Sequence, residues 1–164
     1  MDNAPDLARF IDAQAGAYEA ARDELRSGRK LSPWMWFMFP QVAGLGGSPT
    51  AAHYAIHSKA EARAYAEDPI LGARIVEMTQ LVLEHSGTDI REIFGPVDAM
   101  KFRSSMTLFR AVCPEQACFG QAIELFSDGD PCGPTLELRE RSESCRCLDR
   151  SFCRISAPLA TPAR

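Results

Sequence analysis

Leu31-Ser-Pro-Trp-Met-Trp-Phe-Met-Phe-Pro-Gln41 holds both tryptophans of the chain and two of its nine phenylalanines. Neither a 3.6-residue nor a 2-residue apolar period describes it. Pro33 and Pro40 bracket the rings and restrict the backbone on either side. Rings of this size bury a large apolar surface, and an indole N–H needs an acceptor once it is inside. The segment is therefore expected to plug a core built by other elements. Its more polar members, Trp36 and Gln41, are placed at the edge of a pocket.

The flanking sequence supplies helices. Asp6 can cap a helix running to about Arg26, with Leu7, Phe10, Ile11, Gln14, Tyr18 and Leu25 close to one face. Ser48-Pro49 reads as a cap and first helical residue. Ser58-Lys59-Ala60-Glu61 has the capping-box pattern. Asp68-Pro69 opens an amphipathic stretch through Ile75, Met78 and Val82 that stops at Gly87. Thr88 starts a further turn or two, which Gly95-Pro96 ends. From Asp98 to Arg110, Ala99, Phe102, Met106 and Phe109 recur every three or four residues. After Pro114, a last helix carries Phe119, Ala122, Ile123 and Phe126. No run alternates apolar and polar residues long enough for a confident strand. The expected fold is all-α, a compact single-domain irregular helical bundle.

Size and composition narrow the class further. The chain has 164 residues, 46% of them hydrophobic, which is one domain's worth with ample core material. With 18 basic and 22 acidic residues the net charge is -4. That balance suggests no nucleic-acid surface. The longest apolar run, WMWFMF, is too short to span a bilayer. No signal-peptide pattern opens the chain, so a cytoplasmic location is expected. Past Leu138 the charges mix and apolar anchors become sparse. Residues 1–138 read as the helical domain and 139–164 as a loosely ordered tail. All six cysteines lie in the last third, and Cys145, Cys147 and Cys153 are not at standard zinc spacing.

The candidate site residues are chosen by chemistry. Trp36 offers a flat face for stacking, and Gln41 both a donor and an acceptor. The glycine-dense stretch Val42-Ala-Gly-Leu-Gly-Gly47 could bring backbone close to a ligand. It lacks the spacing of a dinucleotide or phosphate fingerprint. His53 and His57 are four apart, and imidazole titrates near neutrality. No third ligand accompanies them, so neither a metal nor a cofactor is expected. Lys101, Arg103, Ser104, Ser105 and Thr107 make the densest polar cluster on a helix with one apolar face, and Lys101, Arg103 and Ser105 are the ligand-binding candidates. They could hold phosphate or carboxylate oxygens, or tie the helix to its neighbours. Asp98, then Glu92, are the nearest carboxylates for acid–base work, chosen by neighbourhood alone.

Trp34-Met-Trp-Phe-Met-Phe-Pro-Gln41, Gly44-Leu-Gly-Gly-Ser-Pro-Thr50, Tyr54-Ala-Ile-His-Ser-Lys-Ala-Glu-Ala-Arg-Ala-Tyr65 and Lys101-Phe-Arg-Ser-Ser-Met-Thr-Leu-Phe109 together resemble the bacterial family DUF1810. The four blocks keep one order, and the resemblance covers about Leu7 to Leu138. It implies a mostly α-helical single domain and establishes no biochemical function. A remoter similarity is to the NADAR superfamily, helical proteins linked to ADP-ribose and N-glycosidic chemistry. No residue of this chain matches that family's catalytic glutamate. The functional expectation is a small-molecule site for a phosphate-bearing, nucleotide-like metabolite, with possible N-glycosidic hydrolysis. The alternative is a non-catalytic ligand-binding or protein-interaction module. Whether the chain is an enzyme, and its oligomeric state, stay open at this level.

Overall fold

Helix Pro96–Val112 is the element on which the others converge. In the computed structural model, which describes residues 5–137, it is the longest helix, and every residue from Ser104 to Phe109 on it is buried. We number the helices in chain order: α1 Ala8–Ala15, α2 Tyr18–Arg26, α3 Met35–Met38, α4 Pro49–His53, α5 Lys59–Glu67, α6 Leu71–Leu83, α7 Ile90–Phe94, α8 Pro96–Val112 and α9 Ala117–Ser127. A further helical turn spans 133–137. Helix α8 packs on α5, α7 and α9, while α6 packs on α2, α5 and α9. Among the described residues the sole β-type pairing is an isolated parallel bridge between Val42 and Ile56. The all-α expectation holds. None of these helices is long and apolar enough to cross a membrane. The expected tail, 139–164, lies outside the described residues.

The caps follow local chemistry. The side chains of Ser48, Ser58 and Asp89 accept hydrogen bonds from N–H groups of the first turns of α4, α5 and α7. Asp89 thus caps α7, one residue after Thr88. Asp68 accepts from the N–H groups of Ile70 and Leu71, both at 2.9 Å, and launches α6. Gly95, at φ 82°, turns the chain directly from α7 into α8, which therefore begins at Pro96 rather than Asp98.

Two differences from the sequence reading have physical reasons. The single first helix is two, parted at Gly16-Ala17. Glycine is a poor helix former, and the halves serve different partners, α1 packing on α3 and α2 on α6. The aromatic segment, for its part, contains one helical turn, Met35–Met38. Four residues are too few for a period to register in the sequence.

The aromatic segment is inserted as expected. Trp34 and Phe39 are fully buried, while Phe37 is half-buried. Phe39 meets Phe102 of α8 edge to face at 5.1 Å, and Phe94 stacks on Phe102 at 5.0 Å. Buried Gln14 donates to the Phe37 carbonyl at 2.8 Å and to the Tyr65 hydroxyl at 2.9 Å. The Trp34 indole donates to Glu24 at 2.8 Å. That carboxylate also accepts from the N–H groups of Leu31 and Ser32 and from the Ser32 hydroxyl. Partial burial pulls the Glu24 pKa up, but these donors outweigh it and hold it at about 2.

Candidate functional site

The aromatic segment and the first half of α8 face each other across a cavity of about 560 Å³. Its walls come from three places: Trp36 and Gln41, the Leu45–Ser48 loop, and the α8 side chains Met100, Lys101, Arg103 and Ser104. Cys132 and the two residues after it close the remaining side. A smaller cavity of about 250 Å³ adjoins it, sharing Trp36, Gln41, Gly46 and Ala51 and adding Tyr54 and His57. The larger volume falls in the range that holds small-molecule ligands.

The loop is built to sit close. The Gln41 backbone carbonyl accepts from the Ile56 N–H and the Ala43 N–H donates to the Ile56 carbonyl, both at 2.8 Å, which pins the base of the loop beside α4. Gly44, at φ 99°, takes a conformation that a side chain disfavours. Gly46 lies so near α4 that an added Cβ would come within 2.5 Å of the Ala51 Cβ. Gly47 and Ser48 also line the cavity before α4 begins.

On the opposite wall the charges are layered. Asp98 bridges two ammonium groups, Lys30 and Lys101, each at 2.8 Å. Lys101 sits over the Trp36 ring, 4.3 Å from its centroid, and Lys30 lies 5.3 Å from the Trp34 ring. Both are cation–π contacts. Burial pushes the Asp98 pKa up, yet its hydrogen bonds to Lys101 and Lys30, with their charges, bring it below the ordinary value. Arg103 donates from Nε to the Asp130 carbonyl at 2.9 Å and from Nη2 to the Pro131 carbonyl at 3.0 Å, and also pairs with the Asp130 carboxylate. It thereby holds the 130–132 segment against α8.

The structure thus brings Trp36, Gln41, Lys101 and Arg103 to one cavity, with His57 on the adjoining one. His53 is exposed at the end of α4 and meets Tyr54 edge to face at 4.6 Å. The helix ends at His53, so the two histidines do not share a helical face. Among the described residues no group of three metal-ligating side chains gathers. Ser105 is fully buried and its hydroxyl has no hydrogen-bond partner among the described residues. The place on the wall belongs to Ser104, one residue earlier. Asp98 is committed to its lysines. Glu92 is exposed on α7 and lines neither cavity.

Cys132 escaped sequence reasoning, because nothing local marks it. Ser104 stands in the polar cluster of α8, but sequence reasoning passes over it for Ser105. Glu24, which fixes the aromatic segment, left one signal. An acid near the C-terminal end of a helix opposes the helix dipole, so its presence there in α2 points to a tertiary partner.

A family model described as "Protein of unknown function (DUF1810)" matches residues 4–138. The crystal structure of the conserved hypothetical protein Rv1873 from Mycobacterium tuberculosis is similar, with 44% sequence identity and a TM-score of 0.81. That similarity covers 82% of this chain and 96% of the Mycobacterium protein. No curated protein matches.

Proposed function

The chain belongs to the DUF1810 family, and from that premise we propose that its larger cavity binds an anionic, flat-ringed small molecule of the nucleotide type. One observation carries this reading. In a chain of net charge -4, the charged side chains on the cavity wall are Lys101 and Arg103, and among the described residues no carboxylate lines it. Each cation is paired behind the wall, Lys101 with Asp98 and Arg103 with Asp130, so an anionic ligand would share these cations with their carboxylates. Arginine and lysine both suit phosphate oxygens. Gln41 can read an amide or hydroxyl on a base or sugar. Lys101 covers one face of Trp36. A ligand ring therefore stacks either on the part of Trp36 that lines the smaller cavity or on the covered face, once Lys101 turns to the phosphate.

Binding is the better supported part of the reading. N-glycosidic hydrolysis, the chemistry suggested by the remote likeness to NADAR proteins, needs a carboxylate to guide water and to offset an oxocarbenium-like sugar. Asp98 would have to leave two lysines to do that, and Glu92 is outside the cavity. A non-catalytic binding module accordingly fits the wall chemistry better.

The test is a thermal-shift and calorimetric screen with AMP, NAD and ADP-ribose, with chromatography for products. A saturable stabilisation of the wild type is expected. Lys101→Ala and Trp36→Ala should stay folded and each lose affinity by about tenfold or more, the usual size of a lost charged hydrogen bond or stacking contact. No binding by the wild type, or unchanged binding by both variants, refutes the assignment. Saturable binding without product supports the module, and turnover supports the hydrolase.

A further inference from the structure

We propose that Cys132 is a modification site, a reactive thiol on the cavity wall that undergoes exchange with small anionic disulfides.

The geometry sets hydroxyl groups about the thiol, one of which, Ser104, also lies 3.0 Å from the Met100 carbonyl. The Cys132 backbone N–H donates to the Thr107 hydroxyl at 2.9 Å, fixing the residue on α8. Its sulfur lies 3.2 Å from the Ser104 hydroxyl. Thr135 is fully buried, and its hydroxyl has no hydrogen-bond partner among the described residues. That hydroxyl and the Thr135 backbone N–H are close enough to act on the sulfur electrostatically, without a full hydrogen bond to it. A buried hydroxyl without a partner is destabilising. Ionisation of the thiol gives it an acceptor. Arg103 is the charged group that acts on the sulfur, and it is itself paired with Asp130. Burial raises the thiol pKa, but the Ser104 and Thr135 donors and Arg103 bring it below the ordinary value.

The contrast within the chain is informative. Cys113 and Cys118 are buried, and burial raises both thiols, with Glu115 adding to the effect at Cys113. Cys132 is half-buried and lines the cavity, so a reagent can reach it. Lys101 and Arg103 on the same wall favour an anionic reagent. In the exchange the Cys132 thiolate attacks one sulfur of the disulfide R–S–S–R. A new S–S bond forms to Cys132, the original S–S bond breaks, and R–S⁻ leaves and takes a proton from water. The disulfide supplies all the oxidising equivalents. The adduct would occupy the cavity whatever its natural ligand, so the inference does not depend on the nucleotide reading.

The experiment uses the full chain and a dianionic aromatic disulfide, 5,5′-dithiobis(2-nitrobenzoate), with rates read at each cysteine by mass spectrometry. Cleavage after glutamate separates Cys113, Cys118 and Cys132, because Glu115, Glu124 and Glu137 fall between and after them. At about pH 6.5, Cys132 is expected to react faster than a free cysteine model thiol, because more of it is thiolate. Its rate–pH midpoint should lie below that of the model thiol. Thr135→Val and Ser104→Ala should raise that midpoint with the fold retained, as read by circular dichroism. A Cys132 midpoint at or above the model thiol's overturns the proposal. So does a Cys132 rate no faster than those of Cys113 and Cys118, or a midpoint indifferent to both substitutions.

Discussion

Replacing Glu24 by glutamine or alanine tests the account of how the aromatic segment is held. The side chain joins α2 to two backbone N–H groups, the Ser32 hydroxyl and the Trp34 indole. The depression of its pKa from 4.5 to about 2 corresponds to about 3 kcal/mol in full, and to about 2 kcal/mol once solvent screening of a half-buried group is allowed for. Glutamine keeps an acceptor oxygen but loses the charge, so Glu24→Gln should be less stable by about 2 kcal/mol at neutral pH. Alanine leaves the buried indole N–H without a partner as well. Glu24→Ala should lose about 3–4 kcal/mol and lower the thermal midpoint by about 10 °C for a domain of this size. The sign of the pH dependence follows from a folded pKa below the unfolded one. The contribution of Glu24 is full above about pH 4.5 and is lost as pH falls toward 2. Urea unfolding followed by tryptophan fluorescence, at several pH values, measures this. Wild type and Glu24→Gln should differ at neutral pH and converge in acid. A gap below about 0.5 kcal/mol at neutral pH, or one that does not change with pH, would refute the argument.

Two further outcomes are expected. An added Cβ at Gly72 would lie 2.1 Å from the Ala66 carbonyl oxygen, so Gly72→Ala must push α6 off the end of α5. It should cost about 1–3 kcal/mol in chemical denaturation, as overpacking does; an unchanged urea midpoint would exclude that close approach. Asp98→Asn removes the negative charge between Lys30 and Lys101. It should lower stability at neutral pH by about 1–2 kcal/mol and abolish the part of the wild-type loss in acid that arises as the depressed Asp98 group protonates; equal acid sensitivity in both proteins counts against the bridge.

The sequence by itself determined most of the helices and several of their ends. Ser48, Ser58 and Asp68 act within four residues of their own position, and Ile75, Met78 and Val82 repeat at the helical period, so one chain segment carries the whole message. The same holds for the burial of Trp34 and Phe39, whose apolar area leaves them no other stable place. What local pattern could not convey was the pairing of distant groups. Lys101 reads as a candidate anion contact three residues after Asp98 on α8, but Lys30 reaches that carboxylate only when α8 lies beside the chain leaving α2. The opposite fates of Ser104 and Ser105 depend on the angle at which α8 is set against its neighbours. One faces the cavity and Cys132, and the other is sealed in the core. The split of the first helix at Gly16 is decided in the same way, by which neighbours α1 and α2 must reach. Hydrogen bonds and ion pairs act over a few ångströms. Side chains such as Glu24 and Trp34, or Ser104 and Cys132, come within that range only after the hydrophobic packing of the helices has fixed their relative positions.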